Sequence, residues 1–306
     1  MVNSYWRDRE LEHIEKTIQN DNQTIDRISN LYDNALDEIQ DQIDSFYGRY
    51  ADISNISMQE ARQRVTKADV EKYKRKAKRY VANRTFTKRA NDEMRLYNVT
   101  MQINRLELLK AHIRLELIAL TSDEERIMYE HLSQGAREEY ERQASIMGQA
   151  LTYPTKTIES IVNASFMSAT WSERLWDNQD ALRTELDRLL SRGIVQGLNP
   201  RVLARDLRKS MDAGKYNSER LLTTELARVQ GDVFKDSMEQ ADFHAYEFIA
   251  EPTACKVCSA IDGKIFNLSE IQVGKNMYPI HPNCRCSTAA AHDRRAFEKG
   301  LEERGL

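Results

Sequence analysis

All four cysteines of the 306-residue chain lie in one C-terminal window, as Cys255-Lys256-Val257-Cys258 and, after a loop, His281-Pro282-Asn283-Cys284-Arg285-Cys286. Zinc takes four soft or borderline ligands in a tetrahedron. A CxxC turn supplies two sulfurs from one knuckle, and a second cluster closes the site. Cys255 and Cys258 are the firm pair. Five donors compete for four places, so the other half is either Cys284 with Cys286, or His281 with one of them. A His281 that is not a ligand can instead hydrogen-bond a liganding sulfur from outside. Four protein ligands make a closed, structural zinc site, whose binding energy goes into folding the module around it. A disulfide or redox pair and reduced structural thiols are the competing readings. A disulfide framework usually spreads its staples through a small secreted domain, so the clustering favours a metal.

Catalytic chemistry has less support. A zinc deaminase pairs H-x-E with P-C-x-x-C, but His244-Ala245-Tyr246-Glu247 has one residue too many and Pro252 is not adjacent to Cys255. In an HNH-type nuclease, the nearest enzymatic alternative, Asp262 and His281 would be the catalytic pair, but the paired histidines and asparagine of such a site are missing from the module. There is no G-x-x-x-x-G-K-[ST] phosphate loop, G-x-S-x-G elbow or H-E-x-x-H helix. The expectation is a protein without catalytic activity.

A second chemical feature is the basic run Lys72, Lys74, Arg75, Lys76, Lys78, Arg79, Arg84, Lys88 and Arg89, interleaved with Tyr73, Tyr80 and Phe86. It suits phosphate contacts that do not read sequence. Its competitor is pairing with acidic surfaces, and residues 1–61 carry 13 acidic side chains against 5 basic ones.

The elements that must position these groups are mostly helical. Charged residues make up 30% of the chain, mean hydropathy is -0.68, and only 11 Gly and 5 Pro interrupt it. Leu11, Ile14, Ile18, Ile25, Ile28, Tyr32, Ala35, Ile39, Ile43 and Phe46 form a seam of three-four spacing broken once, at Asp21. Leu96, Val99, Ile103, Leu106, Lys110, Ile113, Leu117 and Leu120 repeat it. The two pair as an extended helical hairpin or pack as core helices of a bundle. Thr121-Ser122-Asp123-Glu124-Glu125 reads as an N-cap with an acidic first turn. Pro154 marks a break, Thr170-Trp171 opens another helix, Ser191 to Gly197 closes it, and Asn199-Pro200 starts the next. Gly197 to Leu207 superficially resembles a helix-turn-helix, with two short packed helices as the plainer account. From Phe243 the texture turns to short apolar pieces, Phe248-Ile249-Ala250 and Lys264-Ile265-Phe266, among Gly and Pro.

The expected fold is therefore mainly α: an extended helical region over 1–150, a helical region over 151–240, a small α+β zinc-knuckle-like module over 241–290 and a charged tail over 291–306. The first ten residues carry charges where a secretory signal needs an apolar run, and no stretch is apolar enough to span a membrane. These features predict a soluble, cytosolically made protein with no membrane partner.

The run Cys255-Lys256-Val257-Cys258-Ser259-Ala260-Ile261-Asp262-Gly263-Lys264-Ile265-Phe266, closed by Pro279-Ile280-His281-Pro282-Asn283-Cys284-Arg285-Cys286, resembles the Mu F-like head-morphogenesis family of tailed bacteriophages. That family's pattern is a CxxC, an [LI]-D-G-K-x-F turn and an H-P-x-C-R-C close. Leu222-Thr223-Thr224-Glu225-Leu226-Ala227 is similar to its R-T-E helix motif, with Thr223 in the arginine's place and Glu225 read as a buried ion-pair or cap residue. The resemblance covers roughly residues 170–290, and the long helical N-terminus looks like that of minor capsid proteins from phages of Gram-positive hosts. It implies a low-copy minor head protein, assembled in the host cytoplasm and carried in the virion. Its implied partners are the portal and other head or scaffold proteins, with phage DNA and self-association left open. A zinc-ribbon DNA-binding protein or metal-dependent nuclease is the alternative.

Overall fold

Apolar spacing of three and four residues commits most of this chain to helix, and the few breakers decide where each helix ends. The computed structural model describes residues 4–50, 67–83, 86–90, 105–196 and 198–291. Its long helices are α1 (Ser4–Tyr50), α2 (Lys67–Asn83), α3 (Arg105–Met147), α5 (Trp171–Val195) and α6 (Pro200–Gln240), with the short α4 (Thr155–Val162) following Pro154. A C-terminal module contains β1 (Ala245–Ile249), α7 (Lys256–Ser259), β2 (Ile265–Asn267), a 3-10 turn (Leu268–Glu270) and β3 (Ser287–Ala291). The mainly helical fold with a small α+β module is as the sequence predicts.

The first seam is a buried stripe of α1, with Ile14, Ile28, Tyr32, Ala35, Ile39, Ile43 and Phe46 all buried. Of the second, Ile113, Leu117 and Leu120 are buried in α3, while Leu96, Val99 and Ile103 lie outside the described residues. Asn199 caps α6 as expected, its Oδ1 accepting from the Arg201 N–H at 2.9 Å.

Two local expectations are corrected. Thr121 to Glu125 do not start a helix, because α3 runs straight through them. Their polar groups find partners inside instead: the Thr121 hydroxyl donates to the Leu117 carbonyl at 2.9 Å, the Ser122 hydroxyl accepts from the Thr87 N–H at 3.1 Å, and Glu124 is fully buried. The helix-turn-helix likeness also fails, since Pro200 opens a 41-residue helix and not a short one. Leu203, Leu207, Met211, Leu222, Leu226 and Val229 keep an apolar face buried along it, so no turn is forced. Gly193 sits inside α5, where a Cβ would lie 3.0 Å from Leu203; the helix ends two residues later.

The residues divide into two compact units, one of Met1–Ile25, Met128–Trp171 and Arg220–Leu306, the other of Asp26–Ile127 and Ser172–Glu219. Helices α1, α3 and α6 contribute to both. In the first, Glu10 of α1 meets Arg142 of α3 while Asp21 meets His131, so these stretches run antiparallel. The sheet has the order β2-β1-β3, with both neighbours antiparallel to β1: Tyr246 lies opposite Phe266 on one side and Ala290 on the other. It packs on α6 through Phe234, Met238, Tyr246, Phe248, Met277 and Tyr278. Each fully buried phenylalanine here contributes roughly 1.5–3 kcal/mol of apolar burial.

The second unit gathers Tyr73 and Ala77 of α2, Ala111, Leu115 and Ile118 of α3 and Trp176 of α5 into one cluster. Lys76 reaches in to Glu116 at 2.7 Å, and the Tyr80 hydroxyl donates to the same carboxylate at 2.7 Å.

Candidate metal centre

The central strand of the sheet fixes the first knuckle. Residue 248 of β1 is bonded twice to the following turn, its N–H to the Lys264 carbonyl at 2.9 Å and its carbonyl from the Gly263 N–H at 2.8 Å. Gly263 has φ +71, which a side chain would strain. Between strand and turn, Cys255 precedes the single turn of α7 and Cys258 is buried inside it. The Ser259 N–H returns to the Cys255 carbonyl at 2.9 Å and the Ile261 N–H to the Cys258 carbonyl at 3.1 Å. The second knuckle is tighter: the Cys284 N–H donates to the His281 carbonyl at 3.1 Å around Asn283 at φ +63. The Asn283 N–H donates to the Thr224 hydroxyl of α6 at 3.0 Å, which seats this turn on the helix.

The five candidate donors fall into two groups that share Cys258. His281 Nε2 lies 3.2 Å from Cys255 Sγ and 3.3 Å from Cys258 Sγ, and Cys258 Sγ lies 4.0 Å from Cys284 Sγ. Cys255, Cys258 and His281 form one group whose ligand atoms lie within 4.8 Å of one another; Cys258, Cys284 and Cys286 form another. A tetrahedral zinc with sulfur at ~2.3 Å and nitrogen at ~2.0 Å has edges of about 3.5–3.8 Å. The donor types, and these three separations of 3.2, 3.3 and 4.0 Å, suit that ion. All four cysteines are free thiols, so no disulfide competes for them.

The electrostatics of the cluster are divided. A hydrogen bond from Cys286 holds the Cys284 thiol down at about 6, and the Cys258 N–H lowers Cys255. Burial pushes Cys258 up to about 12, and the hydrogen bond to Cys284 pushes Cys286 up. A cation entering such a group displaces the remaining thiol protons.

Asp262, the acid of the alternative nuclease pair with His281, has other partners. Both its oxygens accept from Arg7, at 3.0 and 2.7 Å, and Oδ1 also accepts from the Ala250 N–H at 2.8 Å. Arg7 and the Ala250 amide hold the carboxyl below its usual range against the opposing effect of burial. Glu225 is a buried ion-pair residue, as predicted: Arg228 Nε donates to it at 2.6 Å. The same guanidinium donates to the Ile161 and Val162 carbonyls, both at 2.9 Å, capping the end of α4.

Sequence reasoning missed the residues that tie the module to α1. Arg285, between two cysteines, donates to Asp21 at 2.6 Å and to the Thr223 hydroxyl at 3.2 Å. Thr223 thus receives an arginine from elsewhere in the chain. Ser287 donates to Glu10 at 2.6 Å. Glu10 and Glu139 both accept from Arg142 in a buried network. Burial works against the Arg142 charge, but the two glutamates raise its pKa. Burial, then Arg142, drives the adjacent His13 down to about 4. The one available signal was Asp21, the polar break in the α1 seam: it is 1% exposed and also meets His131 at 3.0 Å.

The basic run is split. Lys72, Lys74, Arg75, Lys78, Arg79 and Lys88 are exposed, Lys74 beside Glu71. Lys76 turns inward to Glu38 and Glu116, and Arg89 lies over the Trp176 ring at 4.9 Å. Arg84 lies outside the described residues.

The fold and site define a long-helical protein that carries a small cysteine- and histidine-rich module. Residues 184–289, about a third of the chain, match the model of the family described as Phage Mu protein F like protein. This match supports a likeness of these residues to the Mu F-like phage head proteins. Neither a curated protein nor a solved structure matches it. Among the described residues no helix is long and apolar enough to cross a membrane.

Proposed function

We propose that the protein is a minor head component of a tailed phage, built into the virion during assembly, without catalytic activity, and stiffened at its C-terminal module by one structural zinc. The observation that carries this reading is the coincidence of the family match with the donor cluster, since residues 184–289 end on the knuckles that bring five zinc-type donors together. The portal and other head or scaffold proteins are its partners. The bonds of Asp262 to Arg7 and Ala250 support a structural role for that residue over a nuclease role with His281.

Contact with packaged DNA is a second reading, favoured by the exposed side chains of Lys72, Lys74, Arg75, Lys78 and Arg79 on one short helix. These groups would bind phosphates without reading bases.

The assembly role is tested by co-expression with the portal and capsid proteins. The account expects the protein in purified heads at low copy and in portal pull-downs from a capsid-free lysate. Heads that form and package DNA normally without it, together with no recovery on the portal, would overturn the reading.

A further inference from the structure

The five donors exceed what a tetrahedral ion takes, and the geometry points to which one stands aside. We infer that the metal is held by Cys255, Cys258, His281 and Cys284, with Cys286 outside the coordination sphere. The assignment rests on the metal-binding reading proposed above.

The imidazole decides the first half. His281 Nδ1 lies 2.8 Å from the Pro282 carbonyl, which can only accept, so Nδ1 carries the proton of the neutral ring. Nε2 then presents a lone pair, at 3.2 and 3.3 Å from two sulfurs. A ring serving a metal-bound thiolate from outside would have to aim an N–H at it, because a thiolate only accepts. The neutral His281 is in the opposite tautomer, the one a liganding histidine adopts when its other nitrogen is anchored.

Chain geometry decides the second half. Cys255-x-x-Cys258 and His281-x-x-Cys284 share one donor spacing, and each knuckle is bonded back to the carbonyl of its first residue, from the Ser259 N–H at 2.9 Å and from the Cys284 N–H at 3.1 Å. Each buries its second donor, with Cys258 at 1% and Cys284 at 0% exposure. The 4.0 Å from Cys258 to Cys284 is close to a tetrahedral sulfur–sulfur edge. Cys284 and Cys286 each group with Cys258 and with one another, and neither groups with Cys255 or His281, so the choice between them rests on the turn spacing and on the 4.0 Å approach of Cys284 to Cys258. Cys286 instead sits just before β3, whose first residue is Ser287.

The test is cobalt(II) substitution of the full chain, read by thiolate-to-cobalt charge transfer and by X-ray absorption. The assignment expects three sulfurs and one nitrogen, with the charge-transfer band of Cys286→Ser equal in intensity to wild type. Should Cys284→Ser fail to fold, the wild-type and Cys286→Ser spectra still decide the matter. Four sulfurs in wild type, with the band falling by about a quarter in Cys286→Ser, would overturn the assignment and leave the metal reading standing. No tetrahedral cobalt spectrum in folded wild type would overturn both.

Discussion

Glu124 is a carboxyl sealed inside the second unit, and replacing it with glutamine should stabilise the protein increasingly as pH rises from about 4.5 to about 7, and by a constant amount above that. The side chain is 0% exposed, and among the described residues its Oε1 has no hydrogen-bond partner. Oε2 accepts a long 3.4 Å bond from the Tyr32 hydroxyl, which also bonds to Ser218 at 2.9 Å. Burial pushes the Glu124 carboxyl up to about 7 from the 4.5 of an exposed glutamate, against the weaker opposing hydrogen bonds of Ser218 and Tyr32. Because the folded pKa is the higher one, the folded state holds the proton more tightly. Its contribution is fully present below pH 4.5 and is lost as pH rises through 7. At ~1.4 kcal/mol per unit, the buried charge costs about 3 kcal/mol above that range. Glu124→Gln keeps the shape and the polar contacts but cannot ionise. Thermal unfolding of both proteins from pH 4.5 to 8.5 should give nearly equal Tm at the acid end. At the alkaline end the variant should melt several degrees higher, on the order of 5–10 °C for a unit of this size. A Tm difference that stays flat across the range would refute the reasoning, because it would mean that Glu124 keeps an ordinary pKa inside the fold.

Arg228→Ala should cost about 3–5 kcal/mol, because it strands the buried Glu225 carboxylate and two carbonyls at the end of α4. Equilibrium urea unfolding checks this, and a loss under 1 kcal/mol would contradict the buried-pair reading. If α2 contacts DNA, Lys78→Gln with Arg79→Gln should weaken duplex binding and flatten the log–log salt dependence by roughly 2, from ~0.9 per phosphate contact. An unchanged slope would leave the basic helix to other partners.

What the sequence revealed follows from how local each signal is. The α1 seam and the Asn199 cap depend on neighbours within a turn or two, and both match the structure. The knuckles were legible because donor spacing is itself local, and the structure gathers Cys255, Cys258 and His281 into one group and Cys258, Cys284 and Cys286 into another. The acidic cluster at Thr121 to Glu125 misled because the groups that satisfy it, Tyr32 and Thr87, are distant in the chain. The same holds for Arg285 with Asp21 and Ser287 with Glu10, partners 264 and 277 residues apart. No periodicity encodes such pairs. Asp21 gave only the hint that a charge inside an apolar seam needs a partner.

The central claim, that the C-terminal module is organised by a bound metal, is tested most directly by elemental analysis of protein purified without chelator. Wild type should be compared with the Cys255→Ser, Cys258→Ser double variant, with hydrogen exchange followed over residues 245–291. The account predicts about one zinc per chain in wild type, as a closed four-ligand site requires, and in the variant loss of the zinc together with loss of amide protection across the sheet and both knuckles. Metal-free wild type with a fully protected module would contradict it.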